Sequence, residues 1–304
     1  MDHGEIDETT KNGLEVLKNR IQDANIPETI LDKKIKIAAW NIRKLAGNRL
    51  PESIHYIAEI LSNFEIIAIT ELTENTDDLE EIMEILGPYW KVIYSDVNMD
   101  DKGNGERIGY LYDGRIIEFT SLAAEADPIR IENENGKWLP LLTWWRSPYL
   151  VSFKAGRFDF VMLAAHIRWG DEESRRDALE KLADWIQERR KSKHVKDKDM
   201  IVLGDFNIPA IGDSLHDAIT KNGLVTHEDI LGEQGTNLKR DKRYDQIFYH
   251  EENAHRIEKA GSIDFYVDDY RALYPESKYA DMTKCKFTYQ ISDHLPLWIQ
   301  LDIE

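Results

Sequence analysis

The feature that most constrains this chain is a series of short runs rich in Ile, Val, Leu and Ala. They recur between amphipathic segments and end on polar residues. "KIKIAAWNIR" begins with charged and apolar residues in alternation and then turns apolar, as a strand does on entering a sheet covered on both faces. "EIIAITEL", a short β-branched run, and "DMIVLGDFN", "YDQIFYH" and "LPLWIQLDI" are further predicted strands. "WKVIYSDV" and "RIGYLYDGRIIEF" are also predicted strands, the latter turning at Asp113-Gly114, and "PYLVSFKAGRFDFVMLAAHIRWG" reads as a hairpin turning near Ala155-Gly156. Between them, "PESIHYIAEILSNF" predicts a helix with Pro51 near its first turn, and "DDLEEIMEILG" one closed by Gly87. "EESRRDALEKLADWIQERRK" is a long amphipathic helix with Leu179, Leu182, Trp185 and Ile186 inward. Such alternation predicts an α/β fold, with mixed sheets, helices outside and loops gathered at one rim.

Residues 1–33 read as an N-terminal extension with a helix around Asn12–Ala24, where Leu14, Leu17 and Ile21 share a face. No repeat or Gly/Ser-rich linker divides the remainder, so 34–304 is expected to be one domain. Long polar segments at 96–106, 120–140 and 227–243, and an insertion over 252–288, have the length of functional loops. No apolar run is long enough to span a membrane, and the N-terminus lacks a secretory signal. Cys285 is the only cysteine, which excludes an intramolecular disulfide and a thiolate-built zinc cluster and points to the cytoplasm. The formal net charge of −18 disfavours non-specific nucleic-acid binding by the whole surface. It leaves open a locally positive cleft, or a metal ion supplying the missing charge.

Polar residues stand at the ends of these strands: Asn41, Glu71, His166 with Arg168 beyond it, and Asp205 with Asn207. Asp245 opens "YDQIFY", and Ser292, Asp293 and His294 precede the last strand. Singly, each has an ordinary explanation as a cap or turn residue. Strand ends on one edge converge, however, and clustered carboxylates resist desolvation unless a cation or a charged histidine offsets them. A hard divalent ion with oxygen ligands, chiefly Mg²⁺, fits that need.

Taken in order, "WNIR", "ITE", "AAHIRW", "GDFN", "YDQIFY" and "SDH" resemble the endonuclease/exonuclease/phosphatase superfamily over nearly all of residues 35–301. Arg146-Ser-Pro148 is similar to a feature of its deoxyribonuclease-like branch. The resemblance implies a four-layer α/β sandwich, two packed mixed β-sheets flanked by helices, and Mg²⁺-dependent cleavage of a phosphate ester, with Mn²⁺ as a substitute. It implies that Glu71 is the main metal carboxylate, with Asn41 beside it and Asp293 sharing or bridging the ion. It makes His294 the histidine that activates water or holds the phosphate, Asp245 its orienting carboxylate, and Asp205 the group that positions or deprotonates the water. Asn207 would then bond the phosphoryl oxygens, His166 would meet the phosphate or leaving group, and Arg146 and Arg168 would bind substrate. The sequence departs from the family at an active-site tyrosine: in "RIGYLYD" Tyr110 is the nearest candidate and Ile108 occupies the slot, so Tyr110 is given no catalytic role.

The reading that follows is an intracellular Mg²⁺-dependent DNA endonuclease. Its alternatives are a phosphatase or phosphodiesterase acting on inositol phosphates or lipids such as sphingomyelin, or a binding module that has lost catalysis on the same fold. Residues 1–33 or 252–288 are the segments expected to dock a protein partner. The mixed-sign run 188–199 reads as solvated surface, whereas "LKRDKRYD" brings basic residues close to Asp245. Trp144, Trp145 and Trp169 read as core and rim packing rather than base-stacking platforms.

Overall fold

The computed structural model describes residues 1–98, 105–140, 144–232 and 234–304, so the expected loop 96–106 is described only at its ends. The chain begins with α1 (Glu8–Asp23), β1 (Lys34–Leu45), α2 (Pro51–Leu61), β2 (Ile66–Leu72), α3 (Asp77–Leu86) and β3 (Trp90–Tyr94). It continues through β4 (Arg107–Asp113), β5 (Ile117–Glu125), the small hairpin β6 (Arg130–Glu132) and β7 (Trp138–Pro140), β8 (Tyr149–Ala155) and β9 (Phe158–His166). Then come α4 (Glu172–Lys191), β10 (Met200–Asp205), α5 (Ser214–Thr220), β11 (Leu224–Val225) and α6 (Glu228–Leu231). The last elements are β12 (Asp245–His250), β13 (Ile257–Ser262), α7 (Lys284–Gln290) and β14 (Leu297–Asp302).

The large strands form two six-stranded sheets, ordered β13-β14-β1-β2-β4-β3 and β11-β12-β10-β9-β8-β5. Each is mixed: β1 with β2 and β9 with β10 run parallel, and the other pairs are antiparallel. Alternation of side chains explains the layering. On β1, Ile35, Ile37 and Ala39 face the second sheet, whereas Ala38, Trp40 and Ile42 face the outer helices. On β10, Ile201 and Leu203 face inward, and Met200 and Val202 meet the side covered by α4 and α5. The result is helices, sheet, sheet, helices.

One departure from expectation concerns a connection. The turn at Asp113-Gly114 does not close a hairpin, because β4 and β5 belong to different sheets and the chain crosses between them there. A Gly-containing turn looks the same in sequence whether its flanks pair with each other or with other strands. Tyr110, on β4, is fully buried and bridges the sheets: its hydroxyl accepts from Ala164 N at 2.8 Å and lies 2.8 Å from the Tyr149 carbonyl oxygen.

The N-terminal helix is part of the packed body. Asp7 caps it by accepting from Thr10 N at 2.8 Å, and Leu14, Leu17 and Ile21 join the core on the outer face of the first sheet. Gly13 lets α1 lie against Tyr56, since a Cβ there would fall 1.8 Å from the Tyr56 hydroxyl. Arg20 donates to the carbonyls of Phe265 and Asp269 at 2.7 and 2.9 Å, and Lys278 reaches Asp7 at 2.6 Å and also Glu52. These bonds tie the N-terminal segment to the 252–288 stretch.

Candidate active site

The parallel pairs carry their polar C-terminal residues to one rim. Asn41 ends the paired stretch of β1 opposite Thr70, with Glu71 next along β2, and His166 stands directly opposite Asp205 at the ends of β9 and β10. Antiparallel β12 starts at the same rim, so Asp245 pairs with Asp205 in register. Gly204 makes the β9–β10 approach possible: its φ is +127°, and a Cβ would lie 2.2 Å from the Ala165 carbonyl oxygen. Beyond Asn41 and Ile69 the ladders lose register, and Glu71 takes φ +63°. Asn207 follows at +52°. For a Glu, a left-handed backbone costs on the order of 1–2 kcal/mol, a strain that the surrounding structure must hold.

The side chains then meet across the gap between the sheets. The Asn41 amide donates to Glu71 Oε1 at 2.9 Å and to Asp205 Oδ2 at 3.1 Å, holding two carboxylates together. His294 is fixed through its backbone: Trp40 donates to its carbonyl at 2.8 Å, its own N donates to Ser292 Oγ at 2.9 Å, and Ser292 donates to the Asn41 carbonyl at 2.6 Å. Its ring Nδ1 lies 2.7 Å from Asp245 Oδ2 and its Nε2 4.0 Å from Asp205 Oδ2. His166 approaches Asp205 Oδ2 from the other side, with Nε2 at 3.6 Å and Nδ1 2.9 Å from Glu106 Oε2. One buried carboxylate is therefore flanked by two imidazoles, each backed by another buried carboxylate.

Burial opposes the proton on both rings, but their partners win. Beside Asp245, and with Asp205 and Asp293 nearby, His294 is raised to about 10. His166 is also raised, by Glu106 and Asp205 against its burial and the Arg146 charge. His294 therefore favours the charged form near neutral pH, and His166 holds its proton more firmly than an ordinary imidazole.

The remaining expected residues are placed as follows. Arg146 is half-buried and donates to Glu106 Oε1 at 3.0 Å, so its guanidinium supports the Glu106–His166 pair. Asn207 donates from its amide to the Ile167 carbonyl at 2.7 Å and from its backbone to Asp205 Oδ1 at 2.9 Å. Asp293 is engaged by Arg43 at 2.6 Å, and Thr288 accepts from the same guanidinium nitrogen at 2.7 Å. Arg168 is exposed, its guanidinium 3.6 Å from the centre of the Trp145 ring. Sequence reasoning did not single out Glu106, Arg43 or Arg175, which donates to the Asn207 carbonyl at 2.6 Å.

Ligating atoms of Asp205, Asp245 and His294 lie within 4.8 Å of one another, close enough to share an ion. The His294 ring is a poor ligand in this state, being charged and committed to Asp245. The oxygen donors of Glu71, with Asn41 beside it, suit a hard cation better.

Two stacked mixed sheets carry the polar groups gathered at one rim. A family model described as the endonuclease/exonuclease/phosphatase family matches residues 38–294, and the chain belongs to that family. Among solved structures, a mannosyl-6-phosphatase from Bacteroides thetaiotaomicron is 18% identical with a TM-score of 0.57, over 87% of this chain and 98% of that one. A further endonuclease/exonuclease/phosphatase family protein from Bacteroides thetaiotaomicron is 18% identical, with a TM-score of 0.60 over 89% and 95% of the two chains. ANGEL2, a 2′,3′-cyclic phosphatase, is 11% identical, with a TM-score of 0.58 over 90% and 96%. No curated protein matches the chain in sequence.

Proposed function

We propose that the protein is a divalent-metal-dependent phosphodiesterase that hydrolyses the nucleic-acid backbone, with DNA the expected substrate and Mg²⁺ the expected ion. The observation that carries this reading is Asp205, set between the His166 and His294 imidazoles at 3.6 and 4.0 Å. Asp205 accepts a proton from the attacking water as its oxygen bonds to phosphorus. Charged His294, held by Asp245, stabilises the negative charge growing on the phosphoryl oxygens. His166, held by Glu106, gives its proton to the leaving oxygen as the ester bond breaks. Glu71 and Asn41 are the residues to hold the ion, whose contribution when bound is charge neutralisation at the phosphoryl and leaving oxygens.

The test is incubation with plasmid DNA, an RNA strand, an inositol phosphate and sphingomyelin, each with Mg²⁺ or with EDTA. Metal-dependent release of shortened polynucleotide supports the reading. Turnover of only the inositol phosphate or the lipid, or none at all, overturns it.

A further inference from the structure

Two clefts flank the catalytic rim, and their chemistries differ. The first, of about 290 Å³, is lined by Trp144, Trp145, Arg146, His166, Arg168 and Trp169 along with the first turns of α4. Two of its tryptophans are far from packed: Trp145 is 47% exposed and Trp169 58%. Each carries a guanidinium on its ring, Arg168 3.6 Å from the centre of Trp145 and Arg175 4.5 Å from that of Trp169. The second cleft, of about 350 Å³, is lined by Lys239, Lys242, Lys284, Tyr244 and His294 among others. Tyr244 joins the two, edge-on to Trp169 at 5.7 Å and 6.0 Å from the His294 ring centre.

Asp171 and Asp177 in the first cleft and Asp241 and Asp293 in the second offset part of this charge, yet in a chain of net charge −18 both linings still hold more cations than carboxylates. Lysines act as point charges for phosphates, whereas a guanidinium stacked on an indole covers one ring face and turns its own planar outer face to the cleft. Such a face takes another planar group, and every nucleobase has a π-face to offer. Inside a duplex those faces are covered by neighbouring base pairs, so two half-exposed tryptophans beside the reacting phosphate can be used only by unpaired bases.

We infer that this site takes single-stranded nucleic acid, a base next to the scissile phosphate lying in the Trp145/Trp169 cleft and the adjoining backbone phosphates in the lysine cleft. The inference rests on the phosphodiesterase reading above and narrows it.

Binding is measured by fluorescence anisotropy in EDTA, so that no turnover intervenes. The probes are a labelled DNA strand, the RNA of the same sequence, the same DNA annealed to its complement, and an abasic strand with equal phosphates. The expected result is clear preference for the base-bearing strands, DNA and RNA arms showing which sugar is favoured. Trp145→Ala and Trp169→Ala should each weaken strand binding by about tenfold to a hundredfold while leaving the abasic strand unchanged. Trp169→Phe should keep most of the affinity, and Lys242→Ala should weaken all probes and flatten the salt dependence. An abasic strand or duplex that binds as tightly as the base-bearing strand, or a strand that does not bind, overturns the inference. Cleavage with Mg²⁺ separates the two claims. Equal cleavage of duplex and strand removes the single-strand preference alone, and base-dependent binding without any cleavage removes the phosphodiesterase reading alone.

Discussion

Glu106, immediately before β4 in the first sheet, reaches His166 at the end of β9 in the second, Oε2 lying 2.9 Å from Nδ1. Asp245 and His294 make the same contact in the opposite sense, at 2.7 Å. Glu106→Gln keeps an oxygen for Arg146 but removes the charge that raises His166. The expected result is a loss of about tenfold to 10²-fold in turnover, with the alkaline limb of the pH–rate profile moved to lower pH. The sign follows from linkage. A histidine raised in the folded state adds stability below its ordinary value of about 6.5, and that stability is lost as pH rises through the folded value. Thermal melts of the variant should accordingly fall furthest below wild type on the acid side of neutrality.

Asp205→Ala and His294→Ala should each lower turnover by about 10²–10⁴-fold, the range for general acid–base groups, while circular dichroism stays that of the folded protein. Activity within a few-fold of wild type in either variant would remove that residue from the mechanism.

Glu71→Gln should raise the Mg²⁺ concentration needed for half-maximal activity and leave turnover at saturating metal much less affected. Titration of activity against free Mg²⁺ checks this, and isothermal calorimetry of metal binding without substrate gives an independent reading. An unchanged metal dependence would shift the ion away from Glu71.

Much of this site was legible because strand ends can be recognised singly. Asn41, Glu71, His166, Asp205 and Asp245 each close or open an apolar run, and the sheet order gathers them. Glu106 carries no such signal because it belongs to a polar loop, and only the inter-sheet gap brings it to His166. Arg43, within "WNIR", is equally silent in sequence because its partner Asp293 is distant in the chain. Trp145 and Trp169 read as core and rim packing, and both lie at the rim and are substantially exposed, because composition does not reveal which face of a loop is wet. Tyr110, the candidate for the family tyrosine, is instead buried as a tie between the sheets.

Gly204→Ala should be far more damaging than a methyl group normally is. The new Cβ would collide with the Ala165 carbonyl in a backbone region disfavoured for L side chains. Overpacking and left-handed strain together predict roughly 2–4 kcal/mol of destabilisation, measured by urea unfolding, with Asp205 displaced from His166.

The Lys278 clamp on Asp7 and Glu52 predicts a response to acid. Burial raises the Glu52 carboxyl, but Lys278 outweighs it and the net shift is downward. The stabilisation is therefore complete above about 4.5 and is lost as pH falls through the lowered folded value. Hydrogen exchange should show α1 opening in that acid window before the sheets do. Lys278→Met should bring the same opening at neutral pH, and equal protection of α1 in variant and wild type would refute the clamp.

Glu106–His166, Asn41–Asp205 and His294–Asp245 each join a residue in or just before a strand of one sheet to a strand of the other. Neither half of the molecule owns the machinery, so the apolar layer between them acts as the alignment jig for chemistry at its edge. A fraction of an ångström of sliding there would misalign three contacts at once. In mild denaturant, activity should fade while helical and strand content persist, making turnover a gauge of how firmly the halves are clasped.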